Sequence, residues 1–152
     1  MERDTGKGVY NHLAPEIILY MFELSCDPDL DWIRANLSTQ SADMWSVGCI
    51  FFTMLAGYEP FGEEQLISVL LRIHKTLGLP NKELHVSYRN FLELTGLART
   101  LPSFGGRPES LETYLADAST DCLDLLSKML SLEPKDRLTA SQALAHPFFS
   151  KS

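Results

Sequence analysis

The sequence predicts a mainly α-helical fold, and three observations support that prediction. Apolar residues recur at helical spacing in three segments, residues 42–56, 63–77 and 121–130. A glycine directly follows the first two segments, where a helix would end. The chain has 152 residues, of which 45% are hydrophobic, so it is long and apolar enough for one compact domain.

The first part of the chain is predicted to be mostly loop. Residues 1–13 show no sustained periodicity, whereas Pro15 opens a short apolar stretch that runs from Glu16 to Leu24. A polar loop is expected at 25–31, and residues 32–37 fit a single helical turn.

Residues 42–56 predict the central helix of the domain. Ser41 is a suitable N-cap, and Gly57 is a suitable stop. Apolar residues lie on every side, which predicts a helix that is buried all round. Asp43 in its first turn then needs a hydrogen-bonding partner, because an unpaired charge is costly to bury.

A second long helix is predicted from Glu63 to Leu77, ended by Gly78 and Pro80. Its apolar face is formed by Leu66, Leu70, Ile73 and Leu77. Residues 81–118 are irregular, apart from one helix predicted through 86–97. Because connections of this length are uncommon in compact domains, we interpret 81–118 as an inserted subregion.

The last part of the chain predicts two helices joined by a charged turn. The first helix runs from Asp121 to Leu130, and the turn follows at 134–137. Thr139 and Gln142 have the spacing of a capping box, which opens a short helix ending at Ala145.

Composition excludes several classes of function. The net charge is −7, and residues 1–64 hold eleven acids and three bases, so we expect no nucleic-acid partner. The longest apolar run, near Trp45 to Leu55, is too short for a bilayer, so we expect no membrane partner. Three cysteines without a CxxC pair, and no signal peptide, predict an intracellular protein of the cytoplasm or nucleus.

Four ordered motifs resemble those of serine/threonine protein kinases. Ala14-Pro15-Glu16 resembles the tripeptide that ends the activation segment, and residues 43–48 resemble the DxWSxG helix. Pro60-Phe61 follows at the kinase interval, and the closing helices are matched by residues 125–130, Pro134, Asp136-Arg137, Ala140 and 146–149. The resemblance covers most of residues 9–149. It implies a partial kinase domain over 1–152: the helical C-terminal lobe of a protein-kinase-like fold, without the N-terminal lobe and the catalytic loop.

Within that superfamily the chain looks closest to the cyclin-dependent and MAP-kinase branch. The features are Trp45 to Phe51, the stretch from Ile73 to Pro80, and the insert at about 81–118, which lies where this branch carries an extra subdomain.

The resemblance also implies roles for individual residues. Glu16 and Arg137 occupy positions that form a buried ion pair in the family, and the planar fork of arginine suits a carboxylate. Asp43, Trp45, Ile50 and Met54 are by the same resemblance the anchor residues of the central helix. In the family Asp43 receives hydrogen bonds from the catalytic loop, while Ile50 and Met54 lie under the adenine. In this chain we expect Ile50 and Met54 to be ordinary core residues. Because the catalytic-loop segments are missing, we also expect part of the surface of residues 42–56 to face water.

The motifs that transfer phosphate are missing from this chain. Only 13 residues precede Ala14, and they contain no glycine-rich loop, no His-Arg-Asp and no Asp-Phe-Gly. We therefore predict no catalytic residue, no cofactor and no metal for the chain itself, with ATP and magnesium used by the full-length family.

The segment before Ala14, which takes part in substrate recognition in the family, departs from the family pattern. Val9 and Leu13 replace a threonine and an arginine, and Asn11 and His12 replace an aromatic pair. Further along, Asp27, Asp29 and Asp31 have the spacing that starts a calcium loop, but the required glycine and glutamate are absent, so we predict a solvated acidic loop.

Three functions remain open from the sequence. The chain is part of a longer active kinase, or a non-catalytic interaction module, or a competitor of a full-length kinase. All three predict protein partners: the missing kinase portion, a kinase substrate or a regulator.

Overall fold

The computed structural model describes residues 10–23, 39–63, 65–78, 91–93, 96 and 109–150. These residues form helices without any strand, as predicted. In chain order the helices are α1 Pro15–Glu23, α2 Thr39–Ala56, α3 Leu66–Leu77, α4 Leu111–Tyr114, α5 Thr120–Met129, α6 Ala140–Leu144 and α7 Pro147–Ser150. A 3-10 turn at Pro134–Asp136 separates α5 from α6. No helix in this part of the chain has the length and apolar character needed to span a bilayer.

Helix α2 is the centre of the fold. On its buried side, Trp45, Cys49 and Phe52 join the main hydrophobic core together with residues of α1 and α3. Helix α5 packs closely on α2 at Gly48, where an added methyl group would lie 2.9 Å from Leu130 Cδ2. A larger residue at Gly48 would therefore displace the Leu130 side chain and crowd Met129 Cβ, which lies 3.1 Å away.

The central helix begins earlier than the sequence predicted. It starts at Thr39, so Ser41 lies inside the first turn and is not the N-cap. The Ser41 hydroxyl instead donates a hydrogen bond to the Pro134 carbonyl oxygen, 2.7 Å away in the 3-10 turn. The predicted end is correct, because α2 stops at Ala56 and Gly57 adopts a φ of 79°.

The prediction that α2 is buried all round is wrong, whereas the expectation that part of its surface faces water is confirmed. Ile50 is 51% exposed and Met54 78%, so neither is the core residue that the sequence predicted. Val47, Leu55 and Asp43 are exposed as well. The reason is geometric: positions 43, 47, 50 and 54 follow one helical side, while the core of the described residues lies against the other. We call Asp43, Val47, Ile50 and Met54 the exposed side of α2.

Helix α3 lies against α1 and begins at Leu66, three residues later than predicted from Glu63. Its buried face includes Val69, Leu70 and Ile73, and it ends at Leu77 as predicted, with Gly78 at a φ of 89°. Glu109, from the end of the predicted insert, bonds through its backbone N–H to the Lys75 carbonyl oxygen at 3.1 Å. The end of the insert is thereby joined to the C-terminus of α3.

Within the insert, the helix predicted through 86–97 lies mostly outside the described residues. Residues 91–93 are helical, and Gly96 lies in a turn. The predicted turn at 32–37 and the acidic loop of Asp27, Asp29 and Asp31 also lie outside the described residues.

The C-terminal helices are fixed by local caps. The Thr139 hydroxyl accepts a hydrogen bond from the Gln142 backbone, and the Gln142 side chain accepts one from the Thr139 backbone, which confirms the predicted capping box. The Ser119 hydroxyl caps α5 by accepting a hydrogen bond from the Cys122 N–H. The second, smaller core cluster joins α2, α5 and α6 through Met44, Leu125, Met129 and Ala143.

Candidate functional site at the Glu16–Arg137 pair

Glu16 and Arg137 form a two-point ion pair in the interior of the fold. Arg137 Nη1 lies 2.6 Å from Glu16 Oε1, and Nη2 lies 2.6 Å from Oε2. Each residue is only 6% exposed. The two residues are 121 positions apart in sequence, so only the tertiary fold brings them together. The pair ties the first turn of α1 to the segment that follows the 3-10 turn.

The rest of the guanidinium is satisfied by backbone oxygens. Arg137 Nε donates to the Ser131 carbonyl at 2.7 Å, Nη2 to Leu132 at 3.3 Å and Nη1 to Ser41 at 3.1 Å. These contacts offset the cost of removing the charge from water, which a single partner rarely does. Because Ser41 belongs to α2, the same arginine also fixes the start of the central helix.

Trp45 forms one wall of this site. The Arg137 guanidinium carbon lies 5.0 Å from the centre of the Trp45 ring, which is within cation–π range. Phe61 stacks on Trp45 with ring centroids 5.5 Å apart. The indole Nε1 is buried and has no hydrogen-bond acceptor among the described residues. The contacts of Trp45 at this site are thus made by its ring.

The segment just before α1 is attached to α2 and to the loop that follows it. The Ser46 hydroxyl donates to the His12 carbonyl oxygen at 2.9 Å. Asn11 donates from its side-chain nitrogen to Glu59 Oε2, and its side-chain oxygen accepts the Glu63 N–H at 3.2 Å. Sequence reasoning missed these contacts; the one signal was an asparagine at a position where an aromatic residue is usual.

The exposed side of α2 lies apart from this buried pair. Of the residues singled out in the sequence, the structure brings Glu16, Arg137 and Trp45 together. Asp43, Ile50 and Met54 are placed on the exposed side, where they face outward from the core.

A profile of the protein kinase domain matches residues 2–149. The chain belongs to the protein kinase family. Among curated proteins it is 38% identical over 136 residues to mitogen-activated protein kinase 13 of Bos taurus, covering 90% of this chain and 32% of that protein. It is 37% identical over 114 residues to protein kinase gsk3 of Schizosaccharomyces pombe, covering 74% and 28%. It is 34% identical over 138 residues to mitogen-activated protein kinase 12 of Danio rerio, covering 91% and 33%.

These matches agree with the branch that the sequence motifs indicated. This kinase chain spans about a third of the length of the relatives it matches. The described residues of the matched region are helical.

Two side chains of this kinase chain that could take part in chemistry, Cys49 and Asp124, are held in structural contacts. Burial raises the pKa of the Cys49 thiol to about 12, so the thiol stays protonated and is not a nucleophile at neutral pH. Hydrogen bonds from Lys128 and His146 lower the pKa of Asp124, which lies in the middle of α5. No cluster of three or more His, Cys, Asp or Glu side chains suited to a metal ion occurs in the part of the chain that the structure describes.

Proposed function

We propose that this chain is the C-terminal portion of a serine/threonine protein kinase of the MAP-kinase and cyclin-dependent branch. In the longer protein it forms the helical lobe that supports ATP-dependent phosphorylation of a protein substrate. The observation that carries this proposal is the buried pair of Glu16 and Arg137, because Glu16 closes the Ala14-Pro15-Glu16 tripeptide. The pair holds the end of the activation segment against α2. A lobe that binds a substrate needs this segment in a fixed position.

We further propose that residues 1–152 alone transfer no phosphate. Phosphoryl transfer depends on a phosphate-covering loop, a lysine, a catalytic aspartate and metal ligands. None of the corresponding motifs occurs in the 152 residues. Magnesium-ATP therefore has no matching set of ligands in this chain, and both remain cofactors of the longer protein.

The purified chain is expected to show no saturable binding of magnesium-ATP and no phosphorylation of a generic serine/threonine substrate. Isothermal titration calorimetry measures the first, and transfer of labelled phosphate measures the second. A full-length MAP kinase run in parallel shows that both assays work. Micromolar nucleotide binding by the chain alone would contradict this part of the proposal.

A second candidate function is a non-catalytic module that binds another protein. The exposed side of α2 favours it, because Val47, Ile50 and Met54 form an apolar row of a kind that usually marks a contact surface. The partner would be the remaining kinase portion, a kinase substrate or a regulator, inside the cell in the cytoplasm or the nucleus. The same surface suits a competitor of a full-length kinase.

The exposed side of α2 is expected to bind an apolar fluorescent dye or to associate with another chain. Replacing both Ile50 and Met54 by lysine is expected to reduce dye fluorescence and self-association, because the row is interrupted by charge. Leu144→Lys is the matched control, since Leu144 is 73% exposed but lies on α6. A monomer that binds no dye and unfolds cooperatively would argue against this surface.

A further inference from the structure

We propose that Asn11 is a positioning residue that holds the segment before α1 against the loop between α2 and α3. We call the contact of Asn11 with Glu59 and Glu63 the Asn11 bridge. It joins residues 48 and 52 positions apart, so it is a tertiary contact and not a feature of a local turn.

The asparagine side chain suits this position because it offers both a hydrogen-bond donor and an acceptor. Its amide nitrogen donates to the Glu59 carboxylate, while its oxygen accepts the Glu63 N–H at 3.2 Å. Asn11 is 5% exposed, so both polar atoms of its side chain have exchanged water for these partners. Removing the side-chain amide would leave the Glu63 N–H without this acceptor and the Glu59 carboxylate without this donor.

The Asn11 bridge adds a further attachment to a short turn, residues 10–13, that has its own backbone hydrogen bond. The Leu13 N–H bonds to the Tyr10 carbonyl oxygen at 3.1 Å, and Ser46 holds the His12 carbonyl from α2. Those two contacts fix the shape of the turn and attach it to α2. Asn11 is the residue that fixes the turn relative to the loop at 57–63.

The functional meaning of the bridge rests on the proposed kinase function. In that family the segment before Ala14-Pro15-Glu16 takes part in substrate recognition, and an aromatic pair usually stands where this chain has Asn11 and His12. In this chain, hydrogen bonds between Asn11 and the loop that carries Glu59 and Glu63 stand in place of the contacts of an aromatic ring. The position of the substrate-facing turn is thus set by a polar contact that involves no phosphate group.

The test is amide hydrogen exchange of the full 152-residue chain, measured by NMR at single residues. Asn11→Leu is expected to speed exchange of the Glu63 amide about tenfold, as the loss of one hydrogen bond predicts. Exchange at residues 10–13 is expected to rise with it. Amides in the middle of α2 and α5, such as those of Phe52 and Leu126, are expected to stay unchanged.

Exchanging the donor and the acceptor between positions 11 and 59 distinguishes a positioning role of Asn11 from a general loss of stability. Asn11→Asp places two carboxylates together and is expected to release the turn. Adding Glu59→Gln supplies an amide donor that faces the carboxylate introduced at position 11, so the double variant is expected to regain protection at Glu63. Glu93→Gln, on an exposed residue elsewhere, serves as the charge control.

Two outcomes would overturn the proposal. One is unchanged exchange at Glu63 in Asn11→Leu; the other is an equal loss of protection at Phe52 and Leu126, which would make Asn11 a general stabilising residue. Neither outcome depends on nucleotide binding or phosphate transfer. The bridge can therefore fail while the proposed kinase function stands, and the reverse also holds.

Discussion

Arg137→Ala is expected to lower the free energy of unfolding by about 3–5 kcal/mol, because it leaves the Glu16 carboxylate buried without its partner. The carbonyl oxygens of Ser131 and Leu132 lose donors in the same step. A domain is stable by only about 5–15 kcal/mol, so this single change removes a large part of the total. Urea unfolding followed by circular dichroism at 222 nm measures the difference.

The pair itself is isolated by a double-mutant cycle. Glu16→Gln is expected to destabilise the chain as well, and Glu16→Gln with Arg137→Ala is expected to cost clearly less than the two single effects added together. Lys128→Ala is the control, since its ion pair with Asp124 is about half exposed and is worth at most about 1 kcal/mol. Additive effects at Glu16 and Arg137 would show that the buried pair contributes no coupling energy.

Trp45→Ala is expected to destabilise the chain by about 3–5 kcal/mol, the range for truncating a buried large aromatic side chain. The change removes the ring that stacks on Phe61 and the face that the Arg137 guanidinium covers. It should also weaken the ion pair indirectly, because the guanidinium would border a cavity. Denaturant midpoints of the wild-type chain and the variant give the size of the loss.

Trp45→Phe tests which part of the side chain matters. It keeps an aromatic face and removes an N–H that has no acceptor among the described residues, so we expect a loss of only roughly 1–2 kcal/mol. Met54→Ala on the exposed side of the same helix is expected to change stability by less than about 0.5 kcal/mol. If Trp45→Phe were as damaging as Trp45→Ala, the indole N–H would have a partner that matters.

Short sequence patterns were sufficient to predict the features that depend only on neighbouring residues. The end of α2 at Gly57 and the capping box of Thr139 and Gln142 depend only on residues a few positions apart, and both were predicted. Ser41 shows the limit of such signals. Its hydroxyl was predicted to cap the helix locally, but in the fold it bonds to Pro134, 93 positions away. The helix starts at Thr39, three residues before the predicted Ala42.

Burial of Ile50 and Met54 was mispredicted for a different reason. An apolar side of a helix indicates only that water is disfavoured there, and it does not indicate which element covers it. Of the long-range contacts at the site, one was predicted from the sequence and another was not. The motif resemblance predicted the pairing of Glu16 and Arg137, whose Oε1 and Nη1 atoms lie 2.6 Å apart. The Asn11 bridge belongs to no motif and depends on tertiary contacts alone.

The long separation between Glu16 and Arg137 also has a consequence for synthesis of the chain. At a translation rate of about 5–20 residues per second, Arg137 is made roughly 6–24 s after Glu16, because 121 residues separate them. During that interval α1 exists without the side chain that holds its first turn in place. The contact also closes a large loop, which belongs among the slower steps of folding. The nascent chain therefore carries an unpaired Glu16 and an incomplete core until its last helices emerge, and this is the period in which binding by a chaperone would protect it.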